Sequence, residues 1–437
     1  MISPKQKSHV FILGKNWKLS TAELVSFLKA RNHKFKITGL SKTFAIVTSE
    51  GALDASLIDD LGGTIKIGKI RSSIPLEIVE DAFLHRKKEV QAEVKERLSA
   101  DHVVDEVFKM PMQKCVFGVS LYFEDSRFLR FSKEIQRFLG SYFKEELVSR
   151  GVRAKFMGFP KKRQLPQLTH VEVLKKDLIG KSAEILFCIG TGRAFASNTL
   201  AVHNPFEFQK RDVGRPVQRR IFSIPPRLAK IMANLSACLP GKVLLDPFCG
   251  VGTILQEALL LKARVIGVDI NPWCVKAAKT NLDWLSRQYV LKDASYTILL
   301  GDARSLANRI SEESVDCIVT EPDLGPALRH FPTEFYAKRL IDKVKPLYFD
   351  FLKEAYKTLK ADGTVVFVTP YVKTRQGNFV NLNIEERAGT IGFKMVCPFD
   401  RVLSDDALLI RNLVTDSSFV DIGERHKIGR EIHILQK

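Results

Sequence analysis

The chain has 437 residues, 45% of them hydrophobic, and this length and composition suit a soluble globular protein of two or three domains. It contains no 18-residue apolar run that would span a membrane, and its N-terminus lacks the charged-then-apolar pattern of a secretion signal. Its seven cysteines are scattered without a Cys-x-x-Cys pair, so we expect no metal site, no disulfide framework and a cytoplasmic location.

The formal net charge of +19 is distributed unevenly along the chain. Residues 1–222 contain 39 Lys and Arg against 24 Asp and Glu, a net of +15, whereas residues 223–437 contain 29 against 25, a net of +4. A basic first half joined to a nearly neutral second half indicates that one part binds a polyanion and the other modifies it. Nucleic acid is therefore the expected partner, with solubility as the alternative reason for the charge.

The N-terminal stretch, residues 1–105, begins with a small pattern of strand, helix and strand. His9 to Leu13 is predicted as a strand, and a helix is predicted to begin with Ser20 as its N-cap and Glu23 as the capping-box partner. Phe44 to Val47 is a second strand. This order predicts a small α+β domain.

The second stretch, residues 106–203, alternates strands with an amphipathic helix from Phe131 to Arg150. The strands predicted here are Cys115–Tyr122, Val152–Met157, Leu168–Leu174 and Glu184–Ile189. A basic cluster of Lys161, Lys162 and Arg163 follows the second of them. Lysine and arginine at such a place supply affinity for phosphates without sequence choice, and a solvated loop is the alternative.

Residues 204–222 are predicted to be a basic linker, because Gly214 and Pro216 interrupt regular structure. Three basic side chains of this linker are candidates for contact with RNA: Lys210, Arg211 and Arg215. Pro225 and Pro226 come next and are predicted to begin a helix. Proline is tolerated in a first turn because the N–H groups there have no partner within the helix.

Lys242 to Asp269 is the most informative segment, KVLLDPFCGVGTILQEALLLKARVIGVD. Its pattern is a buried strand, a glycine turn, a helix from Ile254 to Leu261 and a second strand that ends in an acid. Gly250 and Gly252 allow a sharp bend and let a ligand approach the backbone closely. This pattern predicts a nucleotide-binding unit of an α/β fold, with a turn that binds no nucleotide as the alternative.

Two cofactors compete for this unit. A nicotinamide dinucleotide requires Gly-x-Gly-x-x-Gly or Ala, and Leu255 occupies the third position, so the pattern favours S-adenosylmethionine. Asp246 would then meet the methionine end of the cofactor and Asp269 the ribose hydroxyls. After the third strand, Asp302 would bind the adenine amine or act as a helix N-cap. The predicted cofactor-binding residues are Asp246, Pro247, Phe248, Gly250, Gly252, Thr253, Asp269, Ile270, Asp302 and Ala303.

The segment resembles motifs I and II of the class I, Rossmann-like methyltransferases. Its Asp-Pro-Phe-Cys-Gly-x-Gly form is similar to that of the RNA guanine-N2 methyltransferases that carry a THUMP domain. The resemblance is sharper at Arg211-Asp-x-Gly-Arg-Pro216 and at Pro225-Pro-x-Leu-Ala229, which are similar to the linker and helix start of the tRNA guanosine-10 N2-methyltransferase family.

This resemblance implies a domain order. Residues 1–105 would be a ferredoxin-like domain, 106–203 a THUMP domain that grips the tRNA acceptor end, 204–222 a linker and 223–437 the S-adenosylmethionine-dependent methyltransferase domain. That last domain would be a Rossmann-like α/β fold with a seven-stranded sheet whose last strand is an antiparallel insert. The implied partner is tRNA, and some relatives use a small activating subunit.

The catalytic residues implied by the resemblance follow the fourth strand of that domain, Val315 to Thr320. They are Glu321, Pro322 and Asp323. The lone pair of an exocyclic amine is conjugated into the ring, so acceptors beside it must orient it and remove its proton as the methyl arrives. The family pattern is Asp or Asn, Pro, Pro, then Tyr or Phe; here Asp323 replaces the second proline and Leu324 the aromatic residue. The ring that stacks on the base would come from elsewhere, with three candidates: Phe331, Tyr336 and Tyr371.

The sequence thus predicts a tRNA methyltransferase that acts on the N2 amine of a guanosine, with position 10 implied by the resemblance. One alternative is an adenine-N6 methyltransferase of DNA or RNA, because the same motif position serves that amine. A second is an RNA-binding protein that keeps the fold and has lost catalysis, for which the altered Glu-Pro-Asp-Leu motif is the supporting feature.

Overall fold

The computed structural model describes residues 7–108, 111–158, 166–180, 183–219, 223–399, 413 and 418–437. These residues form two sheets, one from each half of the chain, with helices packed against them. Within the described residues, no helix combines the length and the apolar composition that crossing a bilayer requires.

The first half forms a single mixed sheet. Its strands are β1 (Lys7–Leu13), β2 (Phe35–Leu40), β3 (Phe44–Ser49), β4 (Thr64–Pro75), β5 (Lys114–Phe123), β6 (Arg153–Phe156), β7 (Ala183–Ile189) and β8 (Arg193–Val202). Its helices are α1 (Trp17–Ala30), α2 (Leu57–Asp60), α3 (Leu76–Phe83), α4 (Lys88–Ala100), α5 (Val103–Val107), α6 (Ser132–Ser149) and α7 (His170–Lys175). The strand order is β2-β3-β1-β4-β8-β7-β5-β6, so the two predicted N-terminal domains share one sheet through the β4–β8 pair.

Two predictions for this half are wrong in detail. Helix α1 begins three residues before Ser20, and Asn16 is its N-cap, with a side chain that accepts a hydrogen bond from the Leu19 amide. The segment predicted as a strand over 168–174 is helical in α7, because Thr169 and Glu172 form a complete capping box. A capping box fixes a helix start more firmly than a short apolar run fixes a strand.

The second half alternates strands and helices. Its strands are β9 (Val243–Asp246), β10 (Arg264–Asp269), β11 (Tyr296–Leu300), β12 (Val315–Thr320), β13 (Leu359–Lys373), β14 (Phe379–Val380), β15 (Lys394–Met395), β16 (Ser418–Asp421) and β17 (Ile428–Gln436). Its helices are α8 (Pro205–Val213), α9 (Pro226–Leu235), α10 (Thr253–Leu260), α11 (Pro272–Gln288), α12 (Glu334–Thr358) and α13 (Glu385–Ile391). Helix α8 lies where an irregular linker was predicted, and Asn204 caps it.

The second sheet has the order β11-β10-β9-β12-β13-β17-β15, with β14 paired to β13 and β16 paired to β17. Strands β9 to β13 along this path are parallel, and β17 is antiparallel to β13, as the predicted insert requires. The described residues thus form nine strands where seven were predicted, because β14 and β16 are too short to be recognised from an alternating pattern. The carboxyl ends of β9, β10 and β12 meet at one edge, which is where ligands bind in open α/β sheets.

A buried contact joins the two halves between α1 and α9. The Glu23 carboxylate accepts hydrogen bonds from the Gly62 and Gly63 amides, at 2.7 and 2.6 Å, and from Asn234 Nδ2 of α9 at 2.8 Å. Burial raises the pKa of Glu23, and these three donors oppose that shift. Lys230 of α9 also donates to the Asp59 carbonyl at 2.8 Å. Glu23, predicted as a capping residue, therefore fixes the first half to the second.

Candidate active site

The glycine turn lies between β9 and α10. Gly250 has a φ of +53° and Gly252 a φ of +87°, both in the left-handed region that favours glycine. The Cys249 amide donates to the Val268 carbonyl at 3.0 Å, which ties the turn to β10. A Cβ at Gly250 would meet open space, so the turn leaves room beside the backbone N–H groups that precede α10. Such N–H groups at a helix start favour anionic or polar ligands.

Asp269 ends β10 and supports the turn directly. Its carboxylate accepts hydrogen bonds from the Gly250 amide at 2.8 Å and from the Asn271 amide at 2.9 Å. A carboxylate has about four acceptor positions, so lone pairs remain for a ligand. The next side chain, Ile270, is 67% exposed. An exposed aliphatic side chain beside an acid matches the apolar face and the hydroxyls of a nucleoside.

Asp246, at the end of β9, is buried in the floor of the site. It accepts hydrogen bonds from Thr320 Oγ1 at 2.6 Å and from the Phe248 amide at 3.2 Å. Burial raises the pKa of Asp246 to about 7, and the nearby Asp269 and Glu321 carboxylates add to the shift. A carboxylate that lacks a cation in so dry a place favours a positively charged ligand group.

Asp302 follows β11 and caps a 3₁₀ turn over Ala303–Asn308. It accepts from the Arg304 amide at 2.9 Å, and the Arg304 guanidinium pairs with it at 2.6 Å. These bonds from Arg304 lower the pKa of Asp302, so it is an anion. The capping alternative is confirmed, and a contact of Asp302 with adenine stays a prediction.

The residues after β12 form the second part of the site. Glu321 pairs with Arg430 of β17, with Nε to Oε2 at 2.5 Å and Nη2 to Oε1 at 3.2 Å. Pro322 is buried, whereas the Asp323 side chain is exposed and accepts from the Gly325 amide at 3.0 Å. The Tyr348 hydroxyl donates to the Asp323 carbonyl at 3.1 Å. The Arg430 guanidinium thus orients the Glu321 carboxylate, whereas the Asp323 side chain stabilises the turn that leads to Gly325.

One cavity brings the two parts together. Its lining residues include Asp246, Phe248, Gly250, Thr253 and Glu321. The exposed side chain of Arg219 forms part of its wall. A group bound against the glycine turn therefore lies next to the Glu321 carboxylate. This arrangement can hold a nucleoside cofactor on one side and present an acceptor to a second substrate on the other. Among the described residues, no group of three His, Cys, Asp or Glu is placed to bind a metal ion.

Comparisons with known proteins agree with this geometry. A family model described as an RMKL-like methyltransferase domain matches residues 217–388, and one described as a DNA methylase matches residues 73–280. The tRNA (guanine(10)-N2)-dimethyltransferase of Methanothermobacter thermautotrophicus is 34% identical over 182 residues, which cover 41% of this chain and 48% of that protein. The protein of the same name from Pyrococcus abyssi is 31% identical over 193 residues, 44% of this chain and 50% of the relative. Over these aligned residues the chain is similar to tRNA (guanine(10)-N2)-methyltransferases.

The similarity has a defined extent. The chain spans about half the length of these curated relatives, so their activity is not transferred by the alignment alone. The crystal structure of TrmN from Thermus thermophilus matches over 99% of both chains with a TM-score of 0.53 at 16% identity. That match shows a shared class I methyltransferase-like α/β fold.

Two arginines of the predicted linker are buried against other parts of the protein. Arg211 is buried and pairs with Glu257 of α10, with Nε to Oε1 at 2.5 Å. Arg215 is also buried, and it donates to Thr253 Oγ1 at 2.6 Å and to Ser223 Oγ at 2.9 Å. Both side chains donate to protein acceptors, and their contact with RNA stays a prediction.

The other predicted RNA contacts have different outcomes. Lys210 is half-buried, with its Nζ 5.6 Å from the centroid of the Tyr289 ring, so it stays a prediction. The basic cluster Lys161, Lys162 and Arg163 lies outside the described residues.

The three candidate stacking rings of the methyltransferase domain differ in what surrounds them. Tyr336 is exposed at the start of α12, and Tyr371 stacks on Phe379 with centroids 4.6 Å apart. The Phe331 ring has two lysine Nζ atoms within 5.9 Å of its centroid. Sequence reasoning missed Phe335, which is 72% exposed beside Tyr336.

Arg430 was also not predicted from the sequence. Nothing in the local pattern of β17 indicates that this arginine pairs with Glu321, which lies 109 residues earlier in the chain.

Proposed function

We propose that the protein is an S-adenosylmethionine-dependent tRNA methyltransferase that methylates the N2 amine of a guanosine, at position 10. The observation that supports this most is the shared cavity, where Glu321 faces the glycine turn in a chain that aligns with relatives named for that reaction. The cofactor supplies an electrophilic methyl group on a sulfonium centre. Residues of this chain would bind the cofactor, orient the substrate amine and accept its proton.

The residues at the carboxyl ends of β9 to β11 fit that cofactor. Asp246 would bind its amino group, because a buried carboxylate with a raised pKa gains most from a cation. Asp269 would accept from the ribose hydroxyls while it holds Gly250, and Ile270 would cover one face of the adenine. Pro247, Phe248, Gly252, Thr253 and Ala303 would complete the wall.

Glu321 would act on the substrate amine. Its carboxylate, oriented by Arg430, accepts a hydrogen bond from the N2 amine and takes its proton as the new bond forms. The Pro322 carbonyl is the second acceptor that orients the lone pair. The Asp323 side chain has a smaller part, because its Oδ1 already accepts from the Gly325 amide.

The RNA would be held mainly by the first half of the chain. Residues 106–203, as a THUMP domain, would grip the acceptor end of the tRNA, with residues 1–105 as the ferredoxin-like part. Lys210 would contact the backbone next to the cavity, and the cluster at 161–163 would extend that contact. Six cysteines in buried sites as thiols support a reducing, cytoplasmic setting: Cys115, Cys188, Cys238, Cys249, Cys274 and Cys317.

A second candidate is methylation of an adenine N6 amine, which the match to a DNA methylase model favours. The chemistry at Glu321 and Pro322 would be the same, because both substrates are conjugated exocyclic amines. The two candidates differ in the base and in the nucleic acid that the first half binds.

The test is incubation of the full chain with unmodified tRNA transcript and methyl-labelled cofactor, followed by nucleoside mass spectrometry. Wild type, Glu321→Gln and a transcript with position 10 replaced are run in parallel. Label in N2-methylguanosine that requires both Glu321 and G10 supports the proposal, and label in methyladenosine selects the second candidate. No label, with cofactor and tRNA both bound, calls for a repeat with a small activating subunit supplied. Absence of label there too would leave an RNA-binding protein without catalysis.

A further inference from the structure

A group of basic side chains surrounds Phe331, beyond the residues assigned to the site so far. Arg329, His330, Phe331, Arg375 and Lys427 line one open pocket. Lys373 and Lys427 place their Nζ atoms 5.7 and 5.9 Å from the Phe331 ring centroid. We call these six residues, Lys373 included, the Phe331 cluster.

The cluster is built into the fold. Arg375 Nε donates to the Phe331 carbonyl at 2.9 Å, and the Arg375 amide donates to the Pro332 carbonyl at 2.8 Å. The Lys373 amide donates to the Lys427 carbonyl at 2.8 Å. The loop after the catalytic motif is thereby bonded to the turn after β13, and that turn is aligned with the start of β17.

The position of the cluster relative to Glu321 follows from the strand register. Arg430, which pairs with Glu321, lies opposite Pro370 of β13. Lys373 is three residues farther along β13, which is about 10 Å at the rise of a strand. A nucleic-acid strand whose base enters the cavity would therefore have its neighbouring phosphates within reach of the cluster.

The charges of the cluster lack protein partners of opposite sign. Among the described residues, no salt bridge is formed by Arg329, Lys373, Arg375 or Lys427, and no carboxylate lines the pocket. Four cations around one ring repel one another, and a polyanion removes that repulsion. Lysine and arginine interleaved with aromatic rings are typical of surfaces that bind single strands of nucleic acid.

Two exposed rings lie next to the cluster in sequence. Phe335 and Tyr336, in the first turn of α12, are 72% and 49% exposed. Arg339 lies over the Phe335 ring, 5.9 Å from its centroid. Large exposed aromatic side chains on a surface are more typical of a binding site than of a free face. Bases beside the target nucleotide can stack on these rings.

We propose that the Phe331 cluster binds the RNA strand that flanks the target nucleotide, so that the catalytic half itself grips the substrate. This inference rests on the proposed function for its substrate class. The Phe331 cluster would then be a local basic surface in the second half of the chain, although the net charge of residues 223–437 is only +4. Its contacts are with phosphates, so it contributes affinity and position without choosing the base.

The test compares tRNA binding by wild type, Lys373→Gln/Lys427→Gln and a control, Lys242→Gln/Lys262→Gln. The control removes two charges at the opposite edge of the same sheet, and Asp316, the partner of Lys242, keeps Lys360. Dissociation constants are measured by anisotropy across a salt series, with melting temperature and S-adenosylhomocysteine affinity as checks on folding.

We expect the cluster variant to lose tRNA affinity and to reduce the slope of log K against log salt by about 1.5, since each phosphate contact contributes about 0.7 to 0.9. The control keeps the slope of wild type. A cluster variant with the wild-type slope overturns the inference, even if the enzyme methylates tRNA. A reduced slope in a protein that methylates no nucleoside overturns the proposed function and leaves the cluster as an RNA contact.

Discussion

The Glu321 carboxylate receives two hydrogen bonds from Arg430, a residue 109 positions later in the chain. Both partners are largely buried, so solvent does little to orient the acid. Arg430 belongs to the antiparallel strand β17, which lies between β13 and β15 in the second sheet. The insert therefore supplies the cation that fixes the proposed proton acceptor.

Arg430→Gln is expected to lower kcat of methyl transfer at least tenfold, with KM for tRNA changed less than threefold, because it misplaces an acceptor that works in the transition state. Steady-state kinetics at saturating cofactor measure kcat and KM for tRNA separately. Arg425→Gln, at an exposed position in the turn before β17, is the control. Equal losses in the two variants would remove the positioning role from Arg430.

Glu321→Gln and Asp323→Asn are expected to differ although both convert an acid to an amide. The first removes the proton acceptor and lowers kcat about 100-fold or more. The second keeps an oxygen that can accept from the Gly325 amide, so kcat stays within a few-fold of wild type. Single-turnover assays with labelled cofactor distinguish them. A larger loss in Asp323→Asn would make Asp323 the main acceptor.

Cofactor affinity is expected to rise with pH through about 7, the raised pKa of the buried Asp246 carboxyl, because only the ionised form attracts the cofactor amine. Calorimetric titration with S-adenosylhomocysteine from pH 5.5 to 8 follows this change. Asp246→Asn should bind weakly and lose the pH dependence. An unchanged pH profile in that variant would assign the titration to another group.

Folding stability without cofactor is expected to change in the opposite direction. The pKa of Asp246 is higher in the folded than in the unfolded chain, so the folded state holds a proton that the unfolded state releases between about pH 4 and 7. This contribution is fully present below pH 4 and is lost as pH rises through 7. The stability of Asp246→Asn relative to wild type should therefore increase over that window in urea titrations.

Ile270→Ala is expected to weaken cofactor binding about tenfold, because an aliphatic side chain that covers the adenine contributes on the order of 1 kcal/mol. Its high exposure predicts little change in melting temperature. Val290→Ala is the matched control, since Val290 is 71% exposed in the loop after α11. Equal cofactor affinities in both variants would place the adenine elsewhere.

Arg211→Met is expected to destabilise the fold by about 3 kcal/mol, because among the described residues it leaves the buried Glu257 with Lys230 as its salt-bridge partner. Lys210→Gln, one residue earlier, should change stability by less than about 0.5 kcal/mol. Urea unfolding compares the two. A stable Arg211→Met variant with weaker tRNA binding would support the predicted RNA contact.

Local patterns in the sequence were enough to place the cofactor turn and the motif after β12. Glycine spacing and buried strands act over a few residues, so the turn at Gly250 and the acid at Asp269 follow from the pattern alone. The pairs Arg430–Glu321 and Arg211–Glu257 depend on elements far apart in the chain, and no local pattern encodes them. Helix α7 is an exception, because the sequence contains its capping box beside an apolar run that by itself favours a strand.

The contact of Glu23 with Gly62, Gly63 and Asn234 has a consequence for how the proposed enzyme selects its site. Because that contact is buried and hydrogen-bonded, the first half cannot rotate freely on the second. If the first half binds tRNA as proposed, the distance from that binding surface to the cavity is constant, and the protein would measure a fixed length along the tRNA. Position in the tRNA would be chosen by length, and a transcript with one inserted base pair between the two contacts would present a different nucleotide.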